Sequence, residues 1–72
     1  MAKTHSQKSE DLLDKLRTAR LEVGLTQVEA SKKLKKPQSY ISKIERGERK
    51  IEAIELGDFA KIYNKEITYF IK

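Results

Sequence analysis

The 72-residue chain has no cysteine, no tryptophan, one proline, one histidine and three glycines. Without cysteine it can hold neither a disulfide framework nor a thiolate metal site, which suits a reducing cytoplasm. The single histidine, His5, lies near the N-terminus with no partner for acid–base work. There is no glycine-rich phosphate loop, no carboxylate pair in a buried setting and no metal-ligand spacing. Catalysis is therefore excluded, and neither a cofactor nor a small-molecule substrate is expected. No apolar run approaches the roughly 20 residues of a membrane span, and residues 1–8 lack the apolar stretch of a signal peptide. The expectation is a soluble, cytoplasmic protein with no membrane partner. A chain this short buries only about 60% of the surface its unfolded form exposes, enough for one modest core.

The abundant feature is positive charge, and it is uneven. Residues 27–50 carry eight basic groups (Lys32, Lys33, Lys35, Lys36, Lys43, Arg46, Arg49, Lys50) against Glu29, Glu45 and Glu48. The flanking thirds are nearly neutral, so the net +5 of the chain sits on its middle. A focused basic field suits a polyanionic partner, although a lysine-rich solvated surface would look the same on charge alone.

Residues 1–8 are polar and aperiodic and read as a flexible tail, leaving 9–72 as the folded domain. Ser9 is a suitable N-cap, with Glu10 and Asp11 behind it at the positive end of a helix dipole. Leu12, Leu16, Ala19 and Val23, with Leu13 beside them, form an apolar face at helical spacing, and Gly24 is a natural stop. Thr26-Gln27-Val28-Glu29 is a capping box that opens a second helix running to about Leu34. That helix buries Val28 or Ala30, together with Ser31 and Leu34. Lys35-Lys36-Pro37 breaks it, and Gln38 to Arg46 continues as a third helix with Ile41 and Ile44 inward and Gly47 as its stop. Ile51, Ile54, Leu56, Phe59, Ala60, Ile62 and Tyr63 predict a fourth helix over about 52–63. Gly57 inside it costs about 0.5–1 kcal/mol relative to alanine, which close packing at that point would explain. Ile67, Phe70 and Ile71 predict a short fifth helix. No alternating run bounded by turn residues exists, so the class is all-α.

Two short helices joined by a tight turn invite a steric check as a helix-turn-helix beginning at Gln27. A small residue is needed where the second helix crosses the third, and Ser31 occupies that position. Two branched apolar residues must face inward from the third helix, and Ile41 and Ile44 do. The turn needs a residue tolerant of left-handed geometry; Lys35 stands there, where glycine would be easier by about 1 kcal/mol.

Gly24-Leu25-Thr26-Gln27 with Glu29, and Tyr40-Ile41-Ser42-Lys43-Ile44-Glu45-Arg46-Gly47 at the right separation, closely resemble the lambda-repressor-like (Xre-type) helix-turn-helix family of phage and bacterial regulators. The resemblance runs from about Leu13 to Ile71. It implies a compact five-helix domain binding double-stranded DNA as a homodimeric transcriptional regulator, more often a repressor. By the same resemblance Gln27 clamps a backbone phosphate at the start of the second helix. Gln38, Ser39, Ser42 and Lys43 face base edges from the third, where glutamine suits adenine, lysine suits guanine and serine is permissive. Tyr40 and Arg46 flank them as backbone contacts, with Lys36 and Arg49 adding to the same phosphate field. Arg20 and Glu45 match positions that form a buried ion pair between the first and third helices. Tyr63, Ile67, Tyr69 and Phe70 fall where the family commonly places its dimer contact.

Each residue also has a plainer role open to it: Gln38, Ser39 and Lys43 as solvated surface, Arg20 and Glu45 as independent charges, Tyr40 packed sideways on the core. The rival at the level of the whole chain is an antitoxin-like or adaptor module that uses this fold to hold a protein. The +5 concentrated on residues 27–50 separates the two, because a pure interaction module does not require it. RNA is disfavoured, since no stacking aromatics interleave with the basic residues.

Overall fold

Four left-handed residues punctuate the chain and divide it into five helices. The computed structural model describes residues 4–71, and side chains over 11–71. In order the helices are α1 (Thr4–Glu22), α2 (Gln27–Leu34), α3 (Gln38–Glu45), α4 (Ala53–Ile62) and α5 (Ile67–Ile71), with no strand among the described residues. Gly24, Lys35, Gly47 and Asn64 follow α1 to α4 with φ of 77°, 58°, 77° and 61°. Each closes its helix with the same pair of backbone hydrogen bonds. The N–H of the left-handed residue reaches back three residues and the next N–H reaches back five, as in Gly47 N to Ile44 O (3.0 Å) and Glu48 N to Lys43 O (2.8 Å). This pattern satisfies carbonyls that would otherwise be orphaned at the helix end.

The N-terminal boundary departs from expectation. α1 begins at Thr4, so Ser9 lies inside the helix rather than capping it, and helix extends into the segment read as a tail. Its residues contain no glycine or proline to stop propagation, and extending a helix is far easier than nucleating one. The first apolar face is also narrower than expected: Leu16 and Ala19 are buried, Leu12 and Leu13 half-buried, and Val23, past the helix end, exposed.

The core is built from Leu16 and Ala19 of α1, Ala30 of α2, Ile41 and Ile44 of α3, Leu56, Phe59 and Ala60 of α4, then Tyr63 and Phe70. Positions 56, 59, 60 and 63 lie on one helical face. Ile54 lies two residues before Leu56, about 200° around the helix, and is 81% exposed, so it belongs to the fourth helix without joining the core. Between the two alternatives on α2, Ala30 is buried and Val28 exposed. Ser31 is also buried, and its hydroxyl donates to Val28 O at 2.7 Å, so the small polar residue enters the packed interior without an unpaired donor.

Gly47 and Gly57 do different things. A Cβ at Gly47 would meet Leu13 Cδ1 at 3.2 Å, so this position combines left-handed geometry with close approach to α1. A Cβ at Gly57 would meet nothing within 4 Å, so close packing does not account for it. Gly57→Ala should therefore raise stability by about 0.5–1 kcal/mol through helix propensity alone. Urea denaturation at unchanged m-value checks this, and a loss of stability would reveal a packing constraint at α4.

Candidate nucleic-acid interface

The opening of α2 is held by its own residues. Glu29 N donates to Thr26 Oγ1 at 3.1 Å, and Thr26 N donates to Glu29 Oε1 at 2.9 Å. This reciprocal cap fixes the direction in which Gln27, the first residue of α2, leaves the turn. Three residues separate α2 from α3. Lys35 adopts the left-handed conformation and Pro37, extended at φ −69° and ψ 157°, starts α3 without a side-chain cap.

Beneath this unit lies a buried ion pair. Arg20 Nε donates to Glu45 Oε2 at 2.7 Å and Arg20 Nη2 to Glu45 Oε1 at 3.0 Å, with the two side chains 9% and 7% exposed. Arg20 Nη1 donates to Leu25 O at 2.9 Å, tying the α1–α2 turn to the same group. The Glu45 hydrogen bonds, which outweigh the desolvation of burial, raise the Arg20 guanidinium above its ordinary value. Glu45 is the last residue of α3, where a carboxylate opposes the negative end of the helix dipole, so Arg20 supplies the charge that makes this placement tolerable.

Glu45 is also linked to residues nearer the surface. Gln27 Nε2 donates to Glu45 Oε1 at 3.1 Å, and Gln38 Nε2 approaches Gln27 Oε1 at 3.5 Å, a long contact. A continuous series thus links Arg20 of α1, Glu45 at the end of α3, Gln27 at the start of α2 and Gln38 at the start of α3. Because Glu45 is an acceptor, it takes the amide side of Gln27 and leaves that residue's oxygen toward Gln38.

The outer face of α3 presents Gln38, Ser39 and Lys43 in the open and Ser42 half-buried. Arg46, one residue past the helix, donates to Ser42 Oγ at 2.9 Å and to both oxygens of Glu48 at 3.1 and 3.0 Å. Arg49 is likewise paired, donating to Glu55 at 3.0 and 2.9 Å. Glu55 accepts in addition from Glu52 N at 2.9 Å, and these bonds, Arg49's first, hold its carboxyl down at about 2. Tyr40 is half-buried with its ring stacked on Phe59 at 6.0 Å. Burial pushes its hydroxyl up to about 12. Lys36 Nζ and the Arg49 guanidinium lie 5.3 and 4.9 Å from the Tyr40 ring centre. Lys36, Tyr40 and Arg49 therefore form one cluster.

The C-terminal residues divide. Tyr63 is 0% exposed and Phe70 4%, so neither can form a subunit seam; α5 folds back over α1 and α4 and buries both within the domain. Ile67 and Tyr69 keep surface, as does Ile71. Tyr69 lines an open depression of about 630 Å³ with Lys15 and Lys65, whose ammonium groups lie 5.9 and 4.5 Å from its ring.

Sequence reasoning missed Glu48, Glu55 and Asn64. Asn64 carried a usable signal, since asparagine is the common alternative to glycine in a left-handed helix stop. Glu55 carried half of one: a glutamate three residues into a helix, without the serine or threonine that would have marked the cap. Glu48 had none.

Two short helices at a fixed turn, an outward polar face on the second and a basic surround define a DNA-binding helix-turn-helix domain. No helix among the described residues is long and apolar enough to cross a membrane, and no cluster among them could hold a metal ion. The family model described as helix-turn-helix matches residues 16–70, and the chain belongs to that family, the lambda-repressor or Xre type of DNA-binding regulator. No curated protein and no solved structure matches the chain.

The buried pair makes a quantitative claim. Arg20→Ala or Glu45→Ala should each cost about 3–5 kcal/mol, because either leaves an uncompensated buried charge. The double variant should cost clearly less than the sum. A coupling below about 0.5 kcal/mol in a double-mutant cycle would show that the two side chains act independently.

Proposed function

We propose that this chain is a sequence-specific transcriptional repressor that reads the DNA major groove with α3 and acts as a homodimer on a two-fold operator. The observation that carries the reading is the series from Arg20 through Glu45 to Gln27, which fixes the start of α2 against the end of α3 beneath an outward polar face that begins at the exposed Gln38. With α3 in the groove, Gln38, Ser39, Ser42 and Lys43 meet base edges. Gln27 meets a phosphate chiefly through its main-chain N–H, since its side-chain donor is partly committed to Glu45. That N–H belongs to the first turn of α2, where the backbone donors have no intrahelical partner and the dipole favours an anion. The assignment to repression rests on the family.

If each subunit neutralises about 3 to 5 phosphates, the slope of log K against log salt for a dimer should be about −5 to −9. Gln27→Ala keeps the main-chain N–H and removes the side-chain link to Glu45, so its loss of affinity should be modest and about equal on all duplex sequences, because phosphate contacts position without reading. Lys43→Ala should cost about 1–3 kcal/mol on the preferred site and relax one base position. Titrations of a selected site and of random duplex across salt check both. A slope near zero overturns DNA binding, and equal losses on both DNAs for both variants overturn base reading by α3.

One monomer covers too few base pairs for selectivity in a genome, and symmetric half-sites about 34 Å apart would place two copies of α3 in consecutive major grooves. With Tyr63 and Phe70 inside the domain, the seam falls to Ile67, Tyr69 and Ile71, the last 62% exposed. Ile71→Lys should abolish self-association in sedimentation while leaving the helical signal intact. A wild-type chain that is monomeric at tens of micromolar and binds an isolated half-site with full affinity overturns the dimer.

A further inference from the structure

Lys36 and Arg49 stand on opposite sides of α3 in the sequence, Lys36 just before its start and Arg49 in the loop that follows it. In the fold both come to rest about 5 Å from the centre of the Tyr40 ring, within the range of a cation–π attraction. Two like charges brought together repel, so their convergence needs something negative between or beside them. Two such groups are present. The π-faces of the ring supply one. The Glu55 carboxylate, fixed by both Arg49 amino groups and by Glu52 N, supplies the other.

The ring itself has little freedom to move. It lies nearly parallel to Phe59, with 3° between the planes, and Phe59 is 1% exposed in the core. Its hydroxyl lies beside the Glu55 carboxylate. Arg49 keeps donors in reserve: one Nη1 hydrogen goes to Lys50 O and one hydrogen on each amino group goes to Glu55, leaving Nε and part of Nη2. Lys36 has no carboxylate within ion-pair distance among the described residues.

We infer that Tyr40 is a positioning residue whose ring holds Lys36 and Arg49 together as one paired cationic site for DNA backbone phosphates, and that its hydroxyl makes no contact with DNA. The inference rests on the DNA-binding reading above and replaces three separate backbone contacts with a single unit. Tyr40 acts on DNA only through the two cations; Glu55 offsets one of the two positive charges, and Glu52 and Asp58 lie close enough to Arg49 and Tyr40 to moderate the field further. This arrangement also sets the distance between the start of α3 and the loop after it, because both are gathered on one ring.

The test measures affinity for duplex DNA at fixed salt, with a thermal melt of each variant in parallel. Tyr40→Phe keeps the ring and should bind within about twofold of the wild type. Tyr40→Leu should lose about five- to thirtyfold, the range expected for two exposed cation–π contacts. In a Lys36→Gln, Arg49→Gln background the same Tyr40→Leu change should cost less than about twofold. A loss from Tyr40→Phe as large as that from Tyr40→Leu would mean that the hydroxyl touches DNA, and overturns the inference. So does a Tyr40→Leu loss that persists in full once both cations are gone. If Tyr40→Leu does not fold, the pair Lys36→Gln and Arg49→Gln decides: a combined loss smaller than the product of the single losses supports one site, and strict independence overturns it. Failure of the wild-type chain to bind duplex DNA at all is a separate result, which removes the DNA reading and this inference with it.

Discussion

The hydrogen-bonded ion pair between Arg20 and Glu45 is the contact on which the rest of the molecule depends. Burying two charges in a domain this small is tolerable only when they are paired and further hydrogen-bonded, and here the guanidinium also satisfies Leu25 O while the carboxylate also accepts from Gln27. An apolar pair of the same volume could join α1 to α3, but it could not orient Gln27. The pair therefore does two jobs at once. It ties the first helix to the third across 25 residues of sequence, and it hands a fixed hydrogen-bond direction outward to Gln27.

Much of the fold was legible because it is encoded locally. The Thr26 and Glu29 cap, the stops at Gly24 and Gly47, the left-handed turn at Lys35 and the inward Ile41 and Ile44 all follow from residue types at short spacing. What was not legible depends on how distant segments meet. The resemblance alone assigns Tyr63 and Phe70 to a dimer contact; a five-residue helix has too little periodicity to reveal that it folds back and buries Phe70. The extension of α1 to Thr4 was hidden because a helix grown from a stable nucleus needs no apolar face of its own. At the candidate site the family resemblance brought Arg20 and Glu45 to attention, since nothing in their local spacing distinguishes a buried pair from two solvated charges. The gathering of Lys36 and Arg49 on Tyr40 was invisible for the same reason: it is a contact among a turn, a helix and a loop.

The charge of the middle third also looks different once the side chains are placed. Two of its three arginine or lysine groups beyond Lys43 that flank α3, Arg46 and Arg49, already hold carboxylates, so a formal sum overstates the field they offer. The lysines of the α2–α3 region carry more of the long-range attraction to a polyanion, whereas the arginines act at short range, where their directed donors matter most.

The four left-handed helix stops bear on how the chain reaches this state. Each is closed by hydrogen bonds spanning only three to five residues, so the ends of α1 to α4 can be set before any helix has met another. The conformational search that remains is the docking of short, pre-bounded rods, not the discovery of where each rod begins and stops. Helical domains whose contacts are mostly local fold in microseconds to milliseconds, and the ion pair across 25 residues is one of the links that must wait for loop closure. The orientation of Gln27 depends on that closing contact, so it is set by the tertiary fold and not by the local caps.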